Sequence, residues 1–114
     1  MLPRLTAELL ASRGVLFLSE KSITRAIQAW LKKQPDVWFF KVHGGPHQTA
    51  GIPDLIVSSR GRFIALEVKQ ERRYATVLQK RTIEKIVEAG GVAAVVRSVA
   101  DVQEVFDGLS ASES

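Results

Sequence analysis

The stretch Gly51-Ile52-Pro53-Asp54-Leu55-Ile56-Val57, followed closely by Phe63-Ile64-Ala65-Leu66-Glu67-Val68-Lys69, decides the fold that this sequence predicts. Both runs are rich in large apolar residues and are bounded by turn residues, which is typical of strands. Side chains alternate between the two faces of a strand, so Glu67 and Lys69 point to the same face. The second strand therefore carries a carboxylate and an ammonium side by side.

A tight turn at Arg60 and Gly61 joins these two predicted strands. Gly61 is available for the left-handed conformation that hairpin turns require. An antiparallel hairpin would bring Asp54, at the start of the first strand, towards Glu67, near the end of the second. Two carboxylates and the Lys69 ammonium are thus predicted to share one pocket.

The composition is that of a single globular domain. The chain has 114 residues, of which 46% are hydrophobic and 25% are charged, which suffices for one apolar core. The absence of cysteine excludes disulfides, thiolate zinc sites and cysteine nucleophiles. We expect residues 1–18 to be an N-terminal extension, residues 19–109 to be the domain and residues 110–114 to be a disordered tail.

The charge pattern favours a polyanionic partner. The net charge is +4, and residues 60–85 hold eight basic side chains against three acidic ones. A basic segment of this kind fits nucleic acid, and a solubilising surface explains it equally well. The apolar bias of residues 1–18 is interrupted by charges, so a signal peptide or membrane span is not expected. We expect a soluble intracellular protein.

Periodicity and turn signals predict seven elements in the order α-β-β-β-α-β-α. Helices are predicted at residues 19–34, 76–88 and 101–109, and strands at residues 37–42, 53–57, 63–69 and 92–96. A long glycine-rich loop, residues 43–51, precedes the second strand, and a short additional helix is predicted at residues 5–12. This alternation indicates an α/β fold with one central mixed β-sheet of about four strands flanked by helices.

The first predicted helix carries a carboxylate on its apolar face. At 100° per residue, Glu20 lies between the directions of Ile27 and Leu31. Ser19 is positioned to cap this helix. An inward carboxylate needs a cation or hydrogen-bond donors nearby, so Glu20 is a candidate for the same site.

The clustered charges are suited to phosphodiester hydrolysis. That reaction needs a hard cation, a positioned hydroxide and help for the leaving oxygen. Asp54, Glu67, the carbonyl of Val68 and Glu20 are candidate ligands for Mg²⁺ or Mn²⁺, and Lys69 would orient or deprotonate the attacking water or stabilise the developing charge. The alternative interpretation is that Asp54 is a turn residue and that Glu67 and Lys69 form a solvated pair on an exposed sheet face.

With Glu20, Pro53-Asp54, Glu67-Val68-Lys69 and Gln79 in this order, the sequence resembles the PD-(D/E)xK nuclease superfamily and specifically its VRR-NUC (virus-type replication-repair nuclease) branch, over residues 19–107. The resemblance implies a restriction-endonuclease-like core, dependence on Mg²⁺ or Mn²⁺, and DNA cleavage. It also implies that Gln79 contacts the scissile phosphate or the lysine. The alternative is that Gln79 is a cap or surface residue, as polar residues in the first turn of a helix commonly are. For standalone viral or phage members the resemblance implies a homodimer related to Holliday junction resolvases.

Basic residues around the predicted pocket are candidates for contacts with the DNA backbone. They are Lys41, His43, Arg72, Arg73 and Lys80. The spacing of His43 and His47 does not fit a helical metal site, because Gly44, Gly45 and Pro46 lie between them, and a loop that contacts phosphates is favoured. Trp30 and Trp38 are expected in the core or in a dimer interface.

The sequence favours a metal-dependent DNA endonuclease that acts on branched DNA, such as junctions and flaps, in replication or repair. The chain offers no predicted recognition helix or zinc module, so DNA shape is expected to dominate over base sequence. Two alternatives use the same fold: a non-cleaving module that binds junctions or recruits another enzyme, and a sequence-specific restriction-type endonuclease. A structural protein with a solvated Glu-x-Lys pair is the remaining alternative.

Overall fold

The computed structural model of the chain describes residues 18–44 and 50–113. The helix predicted at residues 5–12, most of the N-terminal extension and His47 lie outside the described residues.

Seven elements follow one another in the predicted order α-β-β-β-α-β-α. The helices are α1 (Glu20–Lys32), α2 (Val77–Glu88) and α3 (Val99–Glu113), and the strands are β1 (Val37–Lys41), β2 (Leu55–Ser59), β3 (Arg62–Val68) and β4 (Val92–Val96). Within the described ranges, no helix is long and apolar enough to cross a bilayer.

The four strands form one mixed sheet, as predicted, and their order in the sheet is β1-β2-β3-β4. Strand β2 runs antiparallel to both β1 and β3, and β4 runs parallel to β3. The hairpin between β2 and β3 has a two-residue turn, in which Arg60 and Gly61 have φ angles of 49° and 78°. Positive φ at both central residues matches the right-handed twist of the strands, and the turn fixes the register of the hairpin.

One face of the sheet is closed by apolar packing against α1 and α3. Helix α1 places Ile27 and Leu31 in the core, and Val102 of α3 lies there too. From the sheet, the fully buried residues of this face are Leu55, Val57, Ile64, Leu66 and Val68. Trp30 packs against this core and meets the ring of Phe106 edge to face, so the prediction of a core position for Trp30 is confirmed.

The opposite face is covered over only part of its width. Helix α2 packs on β3 and β4, whereas the side chains of β1 and β2 on this face are open to solvent. Trp38 is 62% exposed. Of the two positions expected for Trp38, the core is therefore excluded, because strand alternation puts the side chain on the face that α2 does not cover. The dimer interface stays a prediction.

The C-terminal part of the chain differs from the prediction. Helix α3 begins at Val99 rather than Asp101 and extends to Glu113, so residues 110–113 are helical and not a disordered tail. This segment contains no proline, and Leu109 packs against the core at its start, so nothing ends the helix there. In α2, the apolar residues Leu78 and Val87 are both 53% exposed.

Candidate active site

The hairpin places Asp54 directly opposite Glu67. The antiparallel register pairs Leu55 with Leu66, and one further position brings the two acidic residues together. The backbone N–H of Val68 donates to Oδ2 of Asp54 at 2.7 Å. The carbonyl of Asp54 in turn accepts a hydrogen bond from the N–H of Val42 at 2.8 Å. Asp54 is therefore held between its two neighbouring strands.

Glu67 is a buried acid, with 2% of its surface exposed. Its Oε2 accepts a hydrogen bond from Nε2 of Gln79 at 3.0 Å. Its Oε1 is buried and has no hydrogen-bond partner among the residues that the structure describes. Burial, and then the nearby charge of Asp54, raise the pKa of Glu67 to about 8, although the ammonium of Lys69 acts in the opposite direction.

Lys69 completes the charged cluster. Its Nζ lies 3.6 Å from Oε2 of Glu67, and 13% of its side chain is exposed. The Lys69 backbone N–H donates to the carbonyl of Val96 at 3.0 Å, which extends the pairing of β3 with β4 by one residue. The expected shared pocket of Asp54, Glu67 and Lys69 is thus what the structure forms, and the solvated-pair interpretation does not fit this degree of burial.

Gln79 has two roles at the start of α2. Its backbone N–H donates to Oγ1 of Thr76 at 3.1 Å, and its Oε1 accepts from the Thr76 N–H at 2.8 Å, which together form a capping box. The same side chain reaches Glu67 through Nε2. The helix cap therefore fixes the amide that holds the buried acid. Cap and site were alternative predictions for Gln79, whereas the side chain has both contacts, and the Thr-x-x-Gln spacing was the signal for the capping box.

The close packing of Gly51 against α2 was not predicted from the sequence. This glycine has φ +88°, and a Cβ there would lie 2.9 Å from the carbonyl oxygen of Leu78 and 3.1 Å from Oγ1 of Thr82. A side chain would therefore push the segment that leads into Asp54 away from α2. The glycine before Pro53-Asp54 was the available signal.

The oxygen ligands available in the pocket fit a hard divalent cation. Mg²⁺ is commonly bound by one or two carboxylates with water completing its shell. Asp54 and Glu67 supply two, and the unpartnered Oε1 of Glu67 is a carboxylate oxygen that lacks a donor. Among residues 18–44 and 50–113, no group of three His, Cys, Asp or Glu side chains lies close enough to hold an ion. Glu20 and the carbonyl of Val68 thus stay predicted ligands.

Glu20 is half-buried in the first turn of α1. The side chain of Gln70 donates to the carbonyl of Leu18 at 3.1 Å, which ties the start of this helix to the end of β3. Ser19 caps α1 as predicted and accepts from the N–H of Ser22. Glu20 therefore lies at the same end of the sheet as the charged cluster.

The predicted DNA contacts lie on segments that leave the sheet. Lys41 is the last residue of β1, and the ring of His43, two residues later, contacts the ring of Phe40 edge to face. Arg72 and Arg73 lie in the connector to α2 and Lys80 lies in the first turns of α2, and all three are exposed. Nη2 of Arg97 donates to the carbonyl of Arg73 at 2.6 Å, so this connector is tied to the end of β4. Contact of these residues with DNA remains a prediction.

Two solved structures have the same architecture. One, described as a VRR_NUC domain protein, is 24% identical, with 80% of this chain and 87% of that chain covered and a TM-score of 0.65. The other, described as a VRR_NUC domain, is 23% identical, with 77% of this chain and 94% of that chain covered and a TM-score of 0.65. No protein-family model matches the sequence, and no curated protein matches it.

The chain thus has the α/β fold of VRR_NUC domains. The resemblance seen in Glu20, Pro53-Asp54, Glu67-Val68-Lys69 and Gln79 is confirmed at the level of the fold.

Proposed function

We propose that this protein is a metal-dependent DNA endonuclease of the VRR-NUC type, which hydrolyses phosphodiester bonds in branched DNA. The observation that carries the proposal is the buried Glu67 beside Asp54. An acid with its pKa raised to about 8 and an unpartnered Oε1 is unfavourable for folding. Such groups are typical of functional sites, and a divalent cation between the two carboxylates would relieve both the repulsion and the missing contact.

The residues of the cluster have separable roles in this proposal. Asp54 and Glu67 would hold Mg²⁺ or Mn²⁺, which supplies charge neutralisation at the phosphate and lowers the pKa of a bound water. Gln79 keeps the Glu67 carboxylate in one orientation through its Oε2. Lys69 lies in the same pocket as Glu67. Its ammonium would orient the attacking water or stabilise the charge that develops on the phosphate.

Several features support DNA as the substrate. The net charge is +4, and both similar structures are named for the VRR_NUC domain. The described elements provide a sheet with three helices and no added recognition module within those ranges, which favours reading of DNA shape over base edges. The homodimer expected for standalone members is part of the same proposal, and sedimentation velocity tests it.

The test is cleavage of end-labelled DNA by the purified protein. A four-way junction, a flap and a linear duplex are incubated with Mg²⁺, Mn²⁺ or EDTA. Wild type is expected to cut branched DNA with either metal and to leave it intact in EDTA. Lys69→Ala is expected to lose cleavage.

Lys33→Ala is the matched control, because Lys33 is an exposed lysine at the end of α1. This variant should cut at the wild-type rate. If wild type and Lys69→Ala retard the junction equally in a gel and neither gives a product with any metal, the protein is a non-cleaving binding module instead. Discrete fragments from linear duplex would point to a sequence-specific endonuclease.

A further inference from the structure

Three aromatic side chains stand exposed on the face of the sheet that α2 covers only in part. Trp38 and Phe40 of β1 and Phe63 of β3 are 62%, 49% and 46% exposed, and we call them the aromatic face. The rings of Trp38 and Phe40 are nearly parallel, at 7°, with centroids 6.5 Å apart. Exposed apolar patches of this kind often mark interaction sites.

The aromatic face is continuous with the charged cluster. The register pairs Phe40 with Ile56 and Trp38 with Ser58, and directly paired residues share a face. Asp54 lies two positions before Ile56, which makes Phe40 its diagonal neighbour across the strands, at about 7–8 Å between Cα atoms. Trp38 lies two residues further along β1, about 7 Å beyond Phe40. The ring of Phe40 therefore lies next to the cluster, and the ring of Trp38 lies one step further from it along β1.

Positive charge borders the aromatic face. Leu78 and Thr82 mark the flank of α2 that packs against Gly51 at the entry to β2. At 100° per residue, Lys85 points within about 20° of the direction of Leu78, so it projects from the flank beside the open half of the sheet. Ile86 lies close to Gly91, as does the ring of Phe63, which places this turn of α2 beside the aromatic face.

We infer that the aromatic face binds unpaired nucleotides of the DNA strand that enters the site, by stacking bases on Phe40 and Trp38 while Lys85 attracts the phosphates. This inference rests on the proposed nuclease function and narrows its substrate class. Bases in a duplex are already stacked on their neighbours, whereas single-stranded bases offer free faces to aromatic side chains. DNA with unpaired nucleotides beside the cleaved phosphate, such as a flap or a gap, is thus the preferred substrate, ahead of fully paired junctions.

A second copy of the chain fits this face less well. Because Phe40 is the diagonal neighbour of Asp54, a protein surface laid over the aromatic face would also cover the approach to the charged cluster. A nucleic-acid strand satisfies both the aromatic groups and the lysine, and it leaves the site accessible to its own phosphates.

The test measures binding of fluorescein-labelled oligo(dT) and of a flap DNA by fluorescence anisotropy in EDTA, where metal-dependent cleavage does not interfere. Phe40→Leu and Trp38→Leu keep the apolar character of each position and remove the stacking surface. Each is expected to weaken binding of oligo(dT) by about 5- to 150-fold, the range found per stacked base. Fully paired duplex should bind these variants much as it binds wild type.

Three control variants identify the cause of the loss. Phe40→Tyr and Trp38→Phe retain an aromatic ring and should retain most of the affinity. Val87→Ala removes an apolar side chain of α2 that is 53% exposed and points away from the aromatic face, and it should bind as wild type does. The chain has two tryptophans, so oligo(dT) should quench the fluorescence of wild type and fail to quench that of Trp38→Phe.

Two results from the binding and sedimentation measurements would overturn the inference. One is that the Leu variants bind oligo(dT) as tightly as wild type. The other is that wild type sediments as a dimer and the Leu variants as monomers with unchanged DNA affinity, which would make the aromatic face an interface between copies. Cleavage assays separate this inference from the proposed function. Stacking without any metal-dependent product refutes the nuclease, and cleavage that is indifferent to Phe40 and Trp38 refutes the nucleotide-binding face.

Discussion

The two faces of the sheet are stabilised in different ways. Under α1 and α3 the face is closed by aliphatic side chains such as Ile27 and Leu66, both with 0% exposure. Under α2 the opposite face contains a buried acid beside a second carboxylate, and its other half is open. The first face supplies apolar burial and hence most of the stability, whereas the second gives some stability up in order to hold a charged cluster next to solvent.

This difference predicts that stability and activity respond to different substitutions. A change on the aliphatic face should alter the free energy of unfolding and leave the chemistry of the folded fraction intact. A change on the opposite face should do the reverse.

The largest effect on stability is expected from Ile27→Ala. It removes a fully buried side chain from the centre of α1 and should lower the free energy of unfolding by about 2–5 kcal/mol. Trp38→Ala, although it deletes a larger side chain, should change the free energy of unfolding by about 0.5 kcal/mol or less, because the ring is largely exposed. Urea denaturation measures both. Equal losses would show that the aromatic face is packed in the folded protein.

The largest effect on activity is expected from Lys69→Ala. Loss of the ammonium next to Glu67 should slow cleavage by roughly 10²–10⁴-fold, the range for a catalytic acid, base or charge-stabilising group. The urea midpoint should stay close to that of wild type, which distinguishes a chemical role from a structural one. A large fall in the midpoint would place Lys69 among the residues that hold the fold.

Glu67 makes the stability of the metal-free protein depend on pH. Its pKa is about 8 in the folded protein against 4.5 for an ordinary glutamate, so the folded state binds the proton more tightly than the unfolded state. The contribution of Glu67 is therefore fully present below pH 4.5 and is lost as the pH rises to about 8, by an amount on the order of a few kcal/mol.

Thermal unfolding in EDTA between pH 5 and pH 9 tests this expectation. Wild type should lose stability over this interval, and Glu67→Gln, which keeps an acceptor for Gln79 and carries no charge, should lose much less. Identical pH profiles for the two proteins would show that Glu67 is not the group responsible.

The smallest effect on stability is expected from removal of the helix caps at Thr76 and Ser19. Thr76→Ala and Ser19→Ala each remove an N-cap hydroxyl and should each cost about 1 kcal/mol of stability. Thr76→Ala should also slow cleavage, because the capping box positions the Gln79 amide that holds Glu67. Ser19→Ala is the control for the loss of stability alone, because exposed Ser19 caps α1 and not α2. A cleavage rate of Thr76→Ala equal to that of wild type would show that Gln79 is only a helix cap.

Local signals were sufficient for most of the fold. The period-two pattern and the Arg60-Gly61 turn predicted the hairpin, and the hairpin alone placed Asp54 opposite Glu67. The end of α3 was less predictable, since Ser-rich sequence is compatible with both a tail and a helix. The dual role of Gln79 was also missed, because a capping residue and a site residue look the same until the neighbouring strand is in place.

By itself, the sequence determined which residues share a face, because strand alternation, helix periodicity and turn geometry are properties of neighbouring residues along the chain. The tertiary structure decided what covers each face. Nothing local specifies that α2 packs on β3 and β4 and stops short of β1, yet this placement buries Glu67 and leaves Trp38 and Phe40 in solvent. Burial, the raised pKa of Glu67 and the aromatic face all follow from contacts between elements that are distant in sequence.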